Sequence, residues 1–166
     1  MNQGQKANNS GLKLEDKVEE LLLSMLPIGV GKYSKVKDTR DMLLKHVPYT
    51  NIYGNTRCRS EFLLCHGGRR IRIECKTQHS AGSVDEKLPY LYLNFTQAIK
   101  ESEAVIVLDG EGFKEGAKEW LRGKCKGTKV QVFSFEEFVS YVNNGCSAQT
   151  LFKKLWDRMR SLFPGA

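Results

Sequence analysis

Two runs of alternating apolar and polar residues meet at Gly67-Gly68, and this junction constrains the chain more than any other stretch. A glycine pair supplies the positive φ angles of a tight primed turn, so residues 59–78 read as a β-hairpin. A two-residue loop pairs His66 with Arg69 and Cys65 with Arg70; counting outward sets Glu61 opposite Glu74 and Arg59 opposite Lys76. Alternation places Arg70, Arg72, Glu74, Lys76 and Gln78 on one face, with Ile71, Ile73, Cys75 and Thr77 on the other. Facing carboxylates repel across a strand pair. A divalent cation between them removes the conflict, and two carboxylates, a backbone carbonyl and water suit Mg²⁺. Lys76 projects from the same face, within reach of a phosphate oxygen or a metal-bound water. The alternative is a solvated strand face of mixed charge, and the opposed carboxylates beside a lysine on an otherwise apolar hairpin favour the metal.

Glu61 followed by Glu74-Cys75-Lys76 on the next strand resembles the pattern of the PD-(D/E)XK phosphodiesterase superfamily, the restriction-endonuclease-like fold. The stretch Ile73 to Gln78, with Gly82 to Lys87 after it, is similar to a restriction-type and phage-encoded subgroup. The sequence departs from the pattern twice: Ser60 stands at the proline position, and Glu61 replaces the commoner aspartate. The resemblance implies an α/β sandwich with a central mixed β-sheet flanked by helices, covering roughly residues 11–135. It implies a Mg²⁺ site, with Mn²⁺ as a substitute, held by Glu61, Glu74 and the Cys75 carbonyl. Lys76 would position or help deprotonate the attacking water, and Gln78 would orient water or substrate. The pattern Gly11-x-x-Leu14-Glu15-x-x-Val18 is similar to the first helix of many members, which makes Glu15 a further metal-site candidate; an ordinary solvated glutamate in a first helical turn is the alternative.

Elsewhere the periodicities are consistent with that order of elements. Residues 1–10 read as a disordered lead-in and 11–166 as one domain. Leu14, Val18, Leu21, Leu22, Met25 and Leu26 mark a helix from Gly11 to Pro27. A short helix around Thr39 to His46 and a strand near Asn51 to Gly54 are expected next, within a basic stretch containing Lys32, Tyr33, Lys35, Lys37, Arg40 and Lys45. Ser83 has capping-box spacing to Glu86, and Lys87 to Ser102 read as a helix carrying Leu91, Phe95, Ala98 and Ile99 inward. Amides at that helix start, together with Ser83, Lys87, Arg70 and Arg72, are candidate contacts to DNA phosphates. Ala104 to Leu108 is a strand buried on both faces; a helix over Lys114 to Gly123 follows, with Ala117, Trp120 and Leu121 turned inward, then a strand over Val130 to Phe133 and a helix over Phe135 to Val142. A basic amphipathic helix closes the chain over Ala148 to Leu162.

Other chemistries fit less well. Gly29-Val30-Gly31-Lys32 lacks the first glycine and the hydroxyl residue of a phosphate loop. Gly110-x-Gly112-x-x-x-Gly116 has the wrong spacing for a dinucleotide loop and carries Glu111 where a pyrophosphate would lie, so no nucleotide cofactor is expected. The three histidines have no metal-ligand spacing. Five cysteines without a C-x-x-C pair, polar first residues and no long apolar run suggest a reduced, cytoplasmic protein without a membrane anchor. A net charge of +7 favours a polyanionic partner. The leading expectation is a Mg²⁺-dependent DNA endonuclease, as a homodimer if it cuts both strands. A non-cleaving DNA-binding module of the same fold and a junction-resolving nuclease are the alternatives.

Overall fold

Leu14, Val18 and Leu22 recur at intervals of one helical turn and are fully buried, so the first helix docks by a single apolar stripe. The computed structural model describes residues 3–33 and 40–146, and within the first helix the side chains from Leu14 onward. Helix α1 spans Gln3–Met25, so most of the segment expected as a lead-in is helical backbone. Gln3, Gln5, Lys6 and Ala7 are good helix formers but Gly4, Asn8, Asn9, Ser10 and Gly11 are poor ones, so local propensity alone does not announce these turns. The helix ends before Pro27.

Six strands follow in the spatial order β1-β2-β3-β4-β5-β6. Strand β1 (Gly29–Lys32) lies parallel to β2 (Met42–Thr50). Strands β2, β3 (Arg57–His66) and β4 (Arg69–Thr77) form an antiparallel meander. Strands β4, β5 (Glu103–Asp109) and β6 (Val130–Ser134) run parallel, as the crossovers through helices require. Helix α2 (Val84–Leu93) passes into a π-helical turn, Asn94–Ala98, and α3 (Glu115–Cys125) and α4 (Phe135–Asn143) complete the described elements.

The β5 run Ala104 to Leu108 is buried on both faces. Val105 and Val107 join a core with α1 and α4, while Ala104, Ile106 and Leu108 join one with α2 and α3. The result is a helix–sheet–helix sandwich, the restriction-endonuclease-like architecture that the sequence led us to expect. Helix α4 is closed by a capping box that the sequence reading passed over: the Ser134 hydroxyl accepts from the Glu137 amide, and the Glu137 carboxylate accepts from the Ser134 amide.

Four expectations need correction. The short helix at Thr39 to His46 is strand β2 from Met42 onward, and Asn51 to Gly54 is the turn after that strand. Met42-Leu43-Leu44 is too short an apolar run for its period to decide between helix and strand, and pairing with β1 and β3 decides it. The helix expected through Ser102 ends with the π-helical turn, and Ile99 is extended. Trp120 is 38% exposed and meets Tyr92 edge-on at a centroid distance of 5.9 Å, rather than entering the core. The closing helix expected at Ala148 to Leu162 lies outside the described residues, as do Lys35 and Lys37.

Candidate active site

The hairpin forms in the expected register, with Gly67 and Gly68 at φ of 57° and 75° and pairs from His66–Arg69 to Phe62–Ile73. At Phe62–Ile73 the ladder between β3 and β4 stops. Glu61 and Glu74, the next pair outward, stand where the strands part: β4 continues along β5 through Glu74–Ile106 to Thr77–Asp109, while β3 continues along β2 through Ser60–Val47 to Arg57–Thr50. The β2 ladder also skips Glu61, because His46 takes a left-handed φ of 55° between the Lys45–Phe62 and Val47–Ser60 pairs. Glu61 therefore has no registered partner on either neighbouring strand. A distorted, non-glycine backbone residue facing a carboxylate is the kind of local strain that collects at functional sites.

Around this fork the side chains converge. One Glu74 carboxylate oxygen accepts from the Lys76 ammonium, which lies 3.3 Å from the Cys75 carbonyl oxygen. The other, Oε2, is buried and has no hydrogen-bond partner among the described residues. Burial raises the Glu74 carboxyl pKa, and Lys76 and then the Glu61 backbone amide oppose the rise without cancelling it. Glu61 is pushed up to about 8, by burial first, then by the charges of Glu74 and Glu15 and a hydrogen bond with the Glu15 carboxyl. Burial alone would lower the Lys76 pKa, but Glu74 and Glu61 outweigh it, and the side chain is held firmly as the ammonium.

These residues fit a divalent cation by their chemistry. Three carboxyl groups crowd together, two of them resist ionisation, and one buried oxygen has no hydrogen-bond partner among the described residues; a cation relieves all three conditions. Among the described residues no three His, Cys, Asp or Glu side chains converge as a ready-made ligand shell. Mg²⁺ asks for less, since it usually takes one or two carboxylates and completes its octahedron with water and substrate phosphate.

The raised Glu61 pKa has a testable sign. A carboxyl whose folded pKa lies above its unfolded value carries no penalty at low pH and costs stability as the pH rises from about 4.5 to about 8. Glu61→Gln is therefore expected to raise the Tm of the metal-free protein above pH 8, by roughly 3–8 °C, and to leave it unchanged below pH 4.5. Melting curves across that range in a chelator check this; a Tm difference independent of pH would refute it.

The profile of a PD-(D/E)XK nuclease superfamily domain matches residues 6–146. The chain belongs to the PD-(D/E)XK nuclease superfamily. No curated protein matches it. The residues that carry the resemblance lie at the fork, Glu61 on β3 and Glu74-Cys75-Lys76 on β4, and the Glu15 carboxyl of α1 bears on Glu61. Ser60, at the proline position of the PD-(D/E)XK pattern, is fully buried, and its hydroxyl accepts from Arg72 at 2.9 Å.

The remaining candidates divide. Arg72 is not presented to a ligand: its side chain is 5% exposed and makes paired bonds of 2.8 and 2.9 Å to Glu101, with a further 3.1 Å bond to the Val47 carbonyl. Burial alone would raise the Glu101 pKa, and Arg72 more than offsets this, holding the carboxylate below its usual range. Arg70 is exposed and lines, with Tyr49, Arg57 and Lys100, a cleft of about 970 Å³. Gln78 is buried and serves the loops. Its amide donates to the Gly112 carbonyl at 2.8 Å, and its carbonyl oxygen caps the first amide of α2, at Val84, at 2.9 Å. The Ser83 side chain makes no cap bond, so one amide offered to a phosphate is already satisfied by Gln78. Lys87 is exposed on α2. The glycines of the rejected dinucleotide loop are explained by the close approach of the two loop backbones: a Cβ on Gly110 would stand 2.5 Å from the Gln78 backbone carbonyl oxygen, and one on Gly112 2.5 Å from Ser80 backbone.

Tyr49 was missed by the sequence reading. It packs over Arg72, 5.6 Å from the guanidinium carbon to the ring centroid, and its hydroxyl pKa is raised by burial and then by the charge of Glu74. An aromatic residue in a strand is so common that its type alone gives no hint of a site.

Proposed function

We propose that the protein is a Mg²⁺-dependent DNA endonuclease, with Mn²⁺ as a substitute ion. The observation that carries this reading is the bare, buried Oε2 of Glu74, set beside Lys76 and Glu61 where β3 and β4 part. Glu61, Glu74 and the Cys75 carbonyl would hold the cation, with Glu15 steadying Glu61. When bound, the ion neutralises phosphate charge and makes water a usable nucleophile. The chain's own part is to place Lys76 as a fixed ammonium, able to donate to a phosphate oxygen or to the attacking water and to stabilise charge as the phosphodiester is opened. A net charge of +7 supports a polyanionic substrate. One such site cuts one strand, so cleavage of both strands at one position needs two copies of the chain. No helix among the described residues is long and apolar enough to cross a membrane.

Purified protein incubated with supercoiled plasmid should convert it to nicked and linear forms only when Mg²⁺ or Mn²⁺ is supplied. Binding without cleavage, under all metal conditions, would replace this reading with that of a DNA-binding module.

A further inference from the structure

Beyond the fork, the turn between β2 and β3 is built more carefully than a surface turn needs. Asn51 and Asn94 are both buried, at 5% and 0% exposure, and both spend their amides on this turn. Asn51 donates to the Tyr90 hydroxyl at 2.9 Å and accepts from the Tyr53 amide at 3.2 Å, while Asn94 accepts from the Ile52 amide at 2.9 Å and donates to the Tyr90 carbonyl at 2.9 Å. Buried amides satisfied on both sides fix backbone position. What they fix here is Tyr53, whose ring lies stacked on Tyr90 at a centroid distance of 5.8 Å and an interplanar angle of 25°. Tyr53 is nonetheless 69% exposed, the most exposed large hydrophobic side chain among the described residues.

A ring held this firmly with so much of its surface in water gains nothing for the core. Its surroundings suit a nucleic acid. Tyr49, two residues before Asn51, packs over Arg72, two residues before Glu74 on β4, which sets the strand that enters the turn beside the fork. Arg57 and Arg59, on the strand leaving the turn, are exposed, and so is Lys87, three residues before Tyr90 on α2. Thr50 and Arg57, which flank the turn, also line the basic cleft. Cations for phosphates around a rigid, open aromatic face are the two components of a site for unstacked bases.

We propose that Tyr53, backed by Tyr90, is a stacking platform for a nucleobase standing outside a duplex stack, and that the protein consequently prefers nucleic acid with an unpaired base beside the cleaved bond. This rests on the nucleic-acid reading above and adds the class of substrate. A fully paired duplex offers its base faces to no side chain, so the platform acts only on single strands, flaps, gaps, ends or flipped bases.

Fluorescence anisotropy with the full-length chain in Ca²⁺ tests it, using one labelled oligonucleotide as a single strand and the same sequence as a blunt duplex. Tyr53→Ala is expected to weaken single-strand binding roughly 5- to 150-fold, as loss of one base–aromatic stack implies, and duplex binding by less than about 2-fold. Tyr53→Phe should restore single-strand affinity, and both variants should melt with the wild type because the ring is exposed. An unchanged single-strand affinity in Tyr53→Ala, or an equal loss on both substrates, overturns the platform while leaving the nuclease reading intact. Wild-type protein that binds neither substrate overturns both.

Discussion

Glu74→Gln is expected to lower the rate of metal-dependent cleavage on the order of 10³-fold or more, because charge neutralisation and water activation are lost together. The same substitution should leave the Tm unchanged or raise it. Glu74 is buried, one of its oxygens has no hydrogen-bond partner among the described residues, and its carboxyl resists ionisation, so the wild-type group costs stability when no cation is present. Lys76→Ala should show a similar loss of rate, with DNA affinity in Ca²⁺ changing far less. Plasmid nicking and thermal melting on the same preparations test the combination. A variant of either residue that cuts at near wild-type rate would remove the site from the fork; a Tm that falls with the rate would make Glu74 a structural residue instead.

Breaking the Arg72–Glu101 pair is expected to cost about 3–5 kcal/mol, because removing one member strands a charge in a nearly dry site. For a chain of this size that is a Tm drop of roughly 6–20 °C. Both side chains are under 10% exposed, at 5% and 8%, and Arg72 also ties Val47 of β2 and Ser60 of β3 to β4. Glu101→Leu and Arg72→Met should each show the loss, whereas the double variant should be more stable than the two single effects predict, since the orphaned charge disappears with its partner. Strict additivity of the three Tm values would show that the pair is not coupled.

Arg72 also marks where reading from sequence stops. Its place in an alternating charged face is visible in the sequence, and the hairpin register that puts it there is the one observed. Its burial is set by Glu101, which arrives from beyond α2, and no local pattern announces a partner that far along the chain. The same limit explains Gln78: parity placed it on the face of Glu74 and Lys76, but Gly112 and Val84, both downstream, turn it into a clamp between loops. Short-range features transferred well, because Gly67-Gly68, the Ala104 to Leu108 run and the Leu14-Val18-Leu22 stripe each carry their own geometry. Strand β2 did not, since pairing rather than period makes it a strand. Glu61, Glu74, Cys75 and Lys76 were legible as a group because one tight turn fixes three of them relative to the fourth. Glu15 needed a helix to dock from the far side of the sheet, and the aromatic pair Tyr53–Tyr90 needed two elements to meet.

The parting of β3 and β4 divides the sheet into a leaf anchored on β2 and a leaf anchored on β5, whose backbones meet through the short ladder from Phe62 to His66 and which Arg72 ties together through Val47 and Ser60. Glu61 rides on the first leaf and Glu74 on the second. The spacing of the two carboxylates is thus governed by how far the leaves are spread, in the manner of a pair of tweezers whose closed end is Gly67-Gly68. The core that Phe62 and Leu64 share with Ile71, Ile73, Val105 and Val107 limits that spread, because the same side chains pack both leaves against α1. In such a design, substitutions at the closed end, far from any reacting atom, act on the grip of the open end.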